Sequence, residues 1–108
     1  MNPNEFLATE VMGWEIRVIK EVRYFFFKNI PIMLVSEWSP KIDIIQAFEV
    51  VEKMGLKGFS FELCKNIKGE YLAMFSTDMA DYTYSHKNPA TAITLAAVKA
   101  LGGDTERK

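Results

Sequence analysis

His86 is the only histidine of the chain, and an imidazole is the side chain suited to exchanging protons near neutral pH or to ligating a metal. It follows Asp78, Asp81, Tyr82 and Tyr84 within the stretch Ser76 to Asn88. Two carboxylates, two phenols and an imidazole in one segment are the set a small ligand-binding or hydrolytic site would use if the loop folded them together. None has a partner at a motif spacing, so an exposed loop is the better account of them. A metal centre would draw on Cys64, Asp78, Asp81 and His86, yet no Cys-x-x-Cys, His-x-x-x-His or His-Glu-x-x-His pair occurs, and the sequence predicts neither metal nor cofactor. Cys64 stands in a strand-like segment and reads as a small packing residue rather than a thiolate nucleophile. Ser76 and Thr77 lie in no Gly-x-Ser-x-Gly elbow, and there is no phosphate-cradling glycine loop. No catalytic residue is predicted.

Charge narrows the partners further. Thirteen basic residues stand against fourteen acidic ones, for a net charge of −1, so no overall field draws the protein to phosphate or anionic lipid. Arg17, Lys20, Arg23 and Lys28 lie near aromatic residues, but Glu15 and Glu21 interleave with them. A nucleic-acid surface requires all four cations on one uninterrupted face, and the expectation is that they do not form one. A single cysteine makes no internal disulfide, and the amino terminus lacks the pattern of a secretory signal, so a cytoplasmic setting is expected. The apolar runs Tyr24 to Phe27 and Ile30 to Val35 fall far short of the roughly 20 residues of a membrane helix. No membrane partner is expected.

The elements that must carry these residues are well marked. At 108 residues, 49% of them hydrophobic and 25% charged, the chain has the size and composition of one globular domain spanning residues 1–108. Asn2 and Pro3 read as the cap and first position of a helix reaching about Met12, which Gly13 stops. From Glu15 to Phe27 the pattern has period two, with Ile16, Val18, Val22, Tyr24 and Phe26 on one face, and predicts a strand. Asn29 to Pro31 breaks it, and Ile32 to Val35 follows as a second strand able to pair with the first. Ser39 and Pro40 read as the opening of a second helix, with Ile44, Ala47, Phe48, Val51 and Met54 as a stripe for a sheet face and Gly55 as the stop. Phe59 to Cys64 and Tyr71 to Phe75 form a hairpin about a turn at Asn66 to Gly69, and Tyr82 to Tyr84 is a short edge strand. Asn88, Pro89 and Gly102 delimit a last helix over Pro89 to Leu101, with Asp104 to Lys108 as a fraying tail. The expectation is an α+β fold: a three-layer α/β/α sandwich with a central, mostly antiparallel sheet and about three helices.

Three segments, in this order, are similar to the phage ABA sandwich domain family of small phage and prophage proteins. They are Ala8-Thr9-Glu10-Val11-Met12-Gly13-Trp14; Asp43-Ile44 with Ala47-Phe48-Glu49-Val50-Val51-Glu52-Lys53-Met54; and Pro89-Ala90-Thr91-Ala92-Ile93 with Ala96-Ala97-Val98-Lys99-Ala100-Leu101. The resemblance covers most of the chain. It implies the same helix, sheet, helix sandwich and carries over no catalytic residue.

The functional expectation is a non-enzymatic interaction or accessory module with a protein partner, and a homodimer. Its surface is expected to involve Leu95 and Val98, which lie off the sheet-facing stripe of the last helix, together with Trp38, Tyr82, Tyr84 and His86.

Overall fold

Asn88 caps the last helix as expected: its side-chain oxygen accepts from the backbone N–H of Ala90 at 2.8 Å and of Thr91 at 3.4 Å. In the computed structural model, which describes residues 1–105, this helix is α3, Pro89–Ala100. Glu106, Arg107 and Lys108, the end of the expected frayed tail, lie outside the described residues. Before α3 come α1 (Pro3–Glu10), β1 (Glu15–Ile19), β2 (Val22–Phe27), β3 (Ile30–Leu34), a 3-10 turn (Val35–Glu37), α2 (Ile44–Leu56), β4 (Ser60–Lys65), β5 (Tyr71–Ser76) and β6 (Asp81–His86). The fold is α+β with three helices and purely antiparallel pairing, but the strands divide into two three-stranded sheets, β1-β2-β3 and β4-β5-β6. The single central sheet expected from the pattern is therefore two.

Helix α3 is the centre of the molecule. Every residue from Ala90 to Val98 is buried, the mark of a helix packed on all sides rather than on one. It lies on β5 and β6, while α2 and α1 cover its remaining sides. This corrects the reading of its outer face: Leu95 and Val98 are only 4% and 1% exposed. The small Ala92, Ala96 and Ala97, none of them accessible, let neighbours approach the axis from more than one direction. Thr94 is the one polar misfit, because its buried hydroxyl has no hydrogen-bond partner among the described residues. Thr94→Val keeps the shape and removes the unpaired group, so it is expected to raise stability by about 1 kcal/mol. A higher urea midpoint at unchanged slope is the readout, and a lower midpoint would contradict it.

The second sheet matches its prediction closely. Strands β4 and β5 pair from Ser60 with Ser76 to Lys65 with Tyr71, and β6 pairs with β5 from Asp81 with Ser76 to His86 with Tyr71. Alternation places Phe61, Leu63, Ala73, Phe75, Tyr82 and Tyr84 on the face toward α3, and all but Tyr82 join the core cluster. Asn66 closes the β4–β5 turn by accepting from the N–H of Lys68 and Glu70, with Gly69 at positive φ. The short edge strand at Tyr82 to Tyr84 extends to Asp81–His86.

The first sheet departs from expectation. What reads as one strand from Glu15 to Phe27 is a hairpin, with Ile19 opposite Val22 and a two-residue turn at Lys20 and Glu21, both at positive φ. Such turns usually use asparagine and glycine, so their sequence signal is missing here. The fold back also interrupts the alternation: Ile16, Val18, Arg23 and Phe25 share one face, whereas Arg17, Ile19, Val22, Tyr24 and Phe26 share the other. The second turn, Lys28 and Asn29, is likewise at positive φ and leads into β3. Pro31 is accommodated there because β3 is an edge strand.

In α2 the cap is Asp43, whose carboxylate accepts from the N–H of Ile45 and Gln46, not Ser39. Ser39 instead holds the preceding turn through its carbonyl, which takes the N–H of Ile42 and Asp43. The buried stripe is Ala47, Val50 and Met54, with Ile44 and Phe48 exposed. It is rotated from the predicted stripe because α2 packs chiefly on α3 and only marginally on a strand.

Candidate interaction surface

The segment richest in reactive groups does not assemble a site. Asp81 begins β6 and His86 ends it, so the two are about 17 Å apart at the rise of a strand. Asp78 lies in the turn before Asp81, where a cleft of about 390 Å³ is lined by Gly58, Ser60, Ser76, Thr77, Asp78 and Met79 but by neither tyrosine nor His86. The imidazole of His86 serves the local structure, its Nδ1 accepting from the N–H of Asn88 at 3.0 Å beside the start of α3. Tyr82 and Tyr84 are half-buried toward the helix, and the ring of Tyr82 meets Phe59 at 6.4 Å. This placement overturns the convergence of Asp78, Asp81, Tyr82, Tyr84 and His86. Cys64, exposed on β4, is not grouped with enough of Asp78, Asp81 and His86 to hold a metal among the described residues.

The four cations of the first sheet are separated as well. Arg17 pairs with Glu15 at 3.1 Å on one face, and Arg23 pairs with Glu5 of α1 at 2.8 Å on the other. Lys20 and Lys28 occupy the turns at opposite ends of β2. The hydrogen bond and charge of Arg17 hold the Glu15 carboxyl below its ordinary range, and the hydrogen bond and charge of Glu5 hold the proton of Arg23 more tightly than usual. Both are surface ion pairs, and neither prepares a group for acid or base work.

What the first sheet does present is two unequal faces. Its inner face is anchored by aromatic packing: Phe25 is buried against Trp14 at 5.4 Å, and Trp14 meets Trp38 edge-on at 4.9 Å. Trp38, expected near a recognition surface, is buried and donates its indole N–H to the carbonyl of Asn4 at 2.8 Å. Beside it lies a cleft of about 550 Å³ between the start of α1, the Lys20 turn and the end of β3. Its walls include Asn2, Glu5, Arg23, Val22, Leu34 and Trp38.

Among the described residues, the elements packed most closely on the sheet are α1 and the 3-10 turn, and α1 meets its inner face, where Glu5 pairs with Arg23. On the outer face, Ile19 and Val22, opposite one another at its end, are 47% and 42% exposed. Toward its middle the Arg17 guanidinium lies 4.7 Å over the ring of Phe26, which is 7% exposed and stands apart from the core cluster. Pro31, opposite Phe26, is exposed at the far side. Exposed apolar residues rimming a cation stacked on an aromatic ring are the composition of a protein-contact surface. Sequence reading misses it because the hidden hairpin turn at Lys20 and Glu21 exchanges which side chains share a face. The alternation across Ile19 and Val22 is the available clue: both are apolar, yet they stand in opposite phases of a single strand.

A family model described as the phage ABA sandwich domain matches residues 5–98. Among solved structures, the chain is similar to a phage protein from Bacillus cereus, with 18% identity, a TM-score of 0.70, and coverage of 94% of this chain and 89% of that one. At that identity the likeness is one of fold. No curated protein matches.

Proposed function

This chain belongs to the phage ABA sandwich domain family, and from that premise we propose that it is a non-enzymatic protein-contact module of phage or prophage origin, working through the outer face of its β1–β3 sheet. The observation that carries this reading is the exposure of Ile19 and Val22 on a sheet face with no helix among the described residues packed closely across it. The inner side of this sheet is covered only in part, with Val18 and Ile30 still 64% and 62% exposed, whereas its outer side is left to solvent or to a partner, and an apolar free face favours the partner. The setting is the cytoplasm, which the single cysteine supports. No helix among the described residues is long and apolar enough to cross a membrane.

Placing a photoreactive benzoyl-phenylalanine at Ile19 of the full chain in a host cell that carries the phage tests the reading. A discrete adduct is expected from Ile19, with none from the same probe at Ser85 on the other sheet, and Val22→Glu is expected to abolish it. Equal labelling from both positions, or none from Ile19, would remove the reading.

A further inference from the structure

Strand β4 is an edge of the second sheet, and no strand among the described residues pairs with its far side. The bond from the N–H of Asn66 to the carbonyl of Glu70 sets the phase of the β4–β5 ladder. Ser60, Glu62 and Cys64 therefore exchange bonds with β5, while the N–H and C=O of Phe61, Leu63 and Lys65 point away from it. These backbone groups have no protein partner among the described residues. Two other edges are blocked. On β6 the carbonyl of Thr83 accepts from the Lys99 ammonium at 3.2 Å, and on β3 Pro31 has no N–H while that of Leu34 is taken by the Glu37 carboxylate at 2.9 Å. Strand β1 is open as β4 is, but the helix packed beside it, α1, exposes no large apolar residue.

The helix beside β4 reaches past the sheet beneath it. Neighbouring helices lie about 8–10 Å apart and neighbouring strands about 4.8 Å, so two helices side by side cover about four strands. Because α3 rests on β5 and β6, α2 lies over β4 and over a fourth position that this chain leaves empty. The stripe Ile44, Phe48, Val51 and Gly55 of α2 faces that way. Phe48 meets Phe61 edge-on at 6.1 Å, yet Phe48 and Ile44 remain 43% and 39% exposed, and Gly55 has open space where a side chain would stand. The N–H of Phe59 bonds to the carbonyl of Met54, which fixes the end of α2 beside the start of β4. From there the two elements run as the walls of one groove, with Ile44 about as far beyond Phe48 as Leu63 is beyond Phe61, roughly 6 Å.

We propose that an extended segment of a partner protein adds to the β4 edge as a fourth, antiparallel strand, with every second side chain apolar and seated in the groove under α2. The unpaired ladder selects a strand, and the groove selects apolar residues at alternate positions. Exposed Glu62, in no ion pair among the described residues, favours a basic residue on the segment's other face. A second copy of β4 does not fit. Antiparallel self-pairing brings both α2 helices over the same two strands, inside the spacing of about 8–10 Å that neighbouring helices require.

Amide exchange of the full chain with the acetylated and amidated hexapeptide Lys-Val-Thr-Val-Lys-Val tests this. At millimolar peptide the amides of Phe61, Leu63 and Lys65 are expected to slow about tenfold or more, because each donates to the added strand. In an antiparallel ladder the residues that exchange bonds share a face, so N-methylation of the valines is expected to abolish the protection and N-methylation of the threonine and second lysine to leave it. Gly55→Leu, which fills the groove with a better helix former, is expected to weaken binding about tenfold while unfolding as cooperatively as the wild type. Ile19→Glu/Val22→Glu is expected to bind the peptide unchanged, which keeps failure here distinct from failure of the β1–β3 surface. No slowing, equal loss with both methylation patterns, or binding indifferent to Gly55→Leu overturns the proposal. Protection of the same amides that grows with protein concentration in the absence of peptide identifies a second copy as the occupant and overturns it as well.

Discussion

Replacing Trp38 by alanine is expected to cost about 3–5 kcal/mol, the range for removing a buried tryptophan or phenylalanine. The expectation rests on where the indole sits as much as on its size. Trp38 is 2% exposed and meets Trp14 edge-on, and Trp14 in turn packs on Phe25 of β2. Its N–H is bonded to the carbonyl of Asn4 in α1, so one side chain ties the segment after β3 to the first helix and to the aromatic anchor of the sheet. Beyond this cluster, the sheet is held to α1 by the Glu5–Arg23 pair, with side chains 15% and 49% exposed, a surface bond of little net worth. Loss of Trp38 should therefore show first in the β1–β3 sheet. Hydrogen exchange is expected to lose protection there while the amides of α3 stay slow. Trp38→Phe, which keeps an aromatic ring but loses the bond from the indole N–H to the Asn4 carbonyl, is expected to cost less, about 1–3 kcal/mol. A uniform loss of protection across both sheets would mean that Trp38 stabilises the whole body rather than the junction.

The contrast between the two sheets explains how much of the molecule is legible in its sequence. The β4–β5 hairpin announces itself because Phe59 to Cys64 alternates cleanly and Asn66 to Gly69 has the chemistry a turn requires. The termini of α3 are equally plain: Asn88, Pro89 and Gly102 occupy the positions that backbone geometry reserves for them. In the first sheet the local signals conflict with the fold. Lys20, Glu21, Lys28 and Asn29 all adopt positive φ, a conformation for which lysine and glutamate give no advance notice. The candidate surface is illegible for the same reason. Leu95 and Val98 look free on a helical projection because one helix viewed alone has an outside, whereas α3 is enclosed from several directions. Ile44 and Phe48, by contrast, are visible in the predicted stripe of α2. That stripe seeks a sheet face, and the sheet of this chain ends at β4 beside it.

The end of α3 holds a second sensitive point, where Gly103→Ala is expected to be more damaging than Gly102→Ala although the two glycines are neighbours. The N–H of Gly102 bonds to the carbonyl of Lys99 at 3.1 Å and that of Gly103 to Val98 at 2.9 Å, which together close the helix in a Schellman motif. Gly102 has φ +77 with open space where a side chain would stand, so alanine there meets only the left-handed backbone penalty, about 1–2 kcal/mol. Gly103 has no such φ but no room: an added Cβ would lie 2.7 Å from Val98 Cγ1 and 2.8 Å from Phe6 Cζ. Val98 is buried and branched at Cβ, so it has no free rotamer to yield. The strain must then pass to the Phe6 ring, and through it to α1. Overpacking of this kind costs about 1–3 kcal/mol, and here it acts on the helix that carries Asn2, Asn4 and Glu5 to the first sheet. A thermal midpoint lowered by about 4–8 °C per kcal/mol is the expected readout for a domain of this size. Because α1 is displaced in Gly103→Ala alone, that variant should also weaken protection of the β1–β3 amides, while Gly102→Ala leaves them unchanged relative to α3. Equal losses in the two variants would place the effect in the helix terminus itself and not in its contact with Phe6.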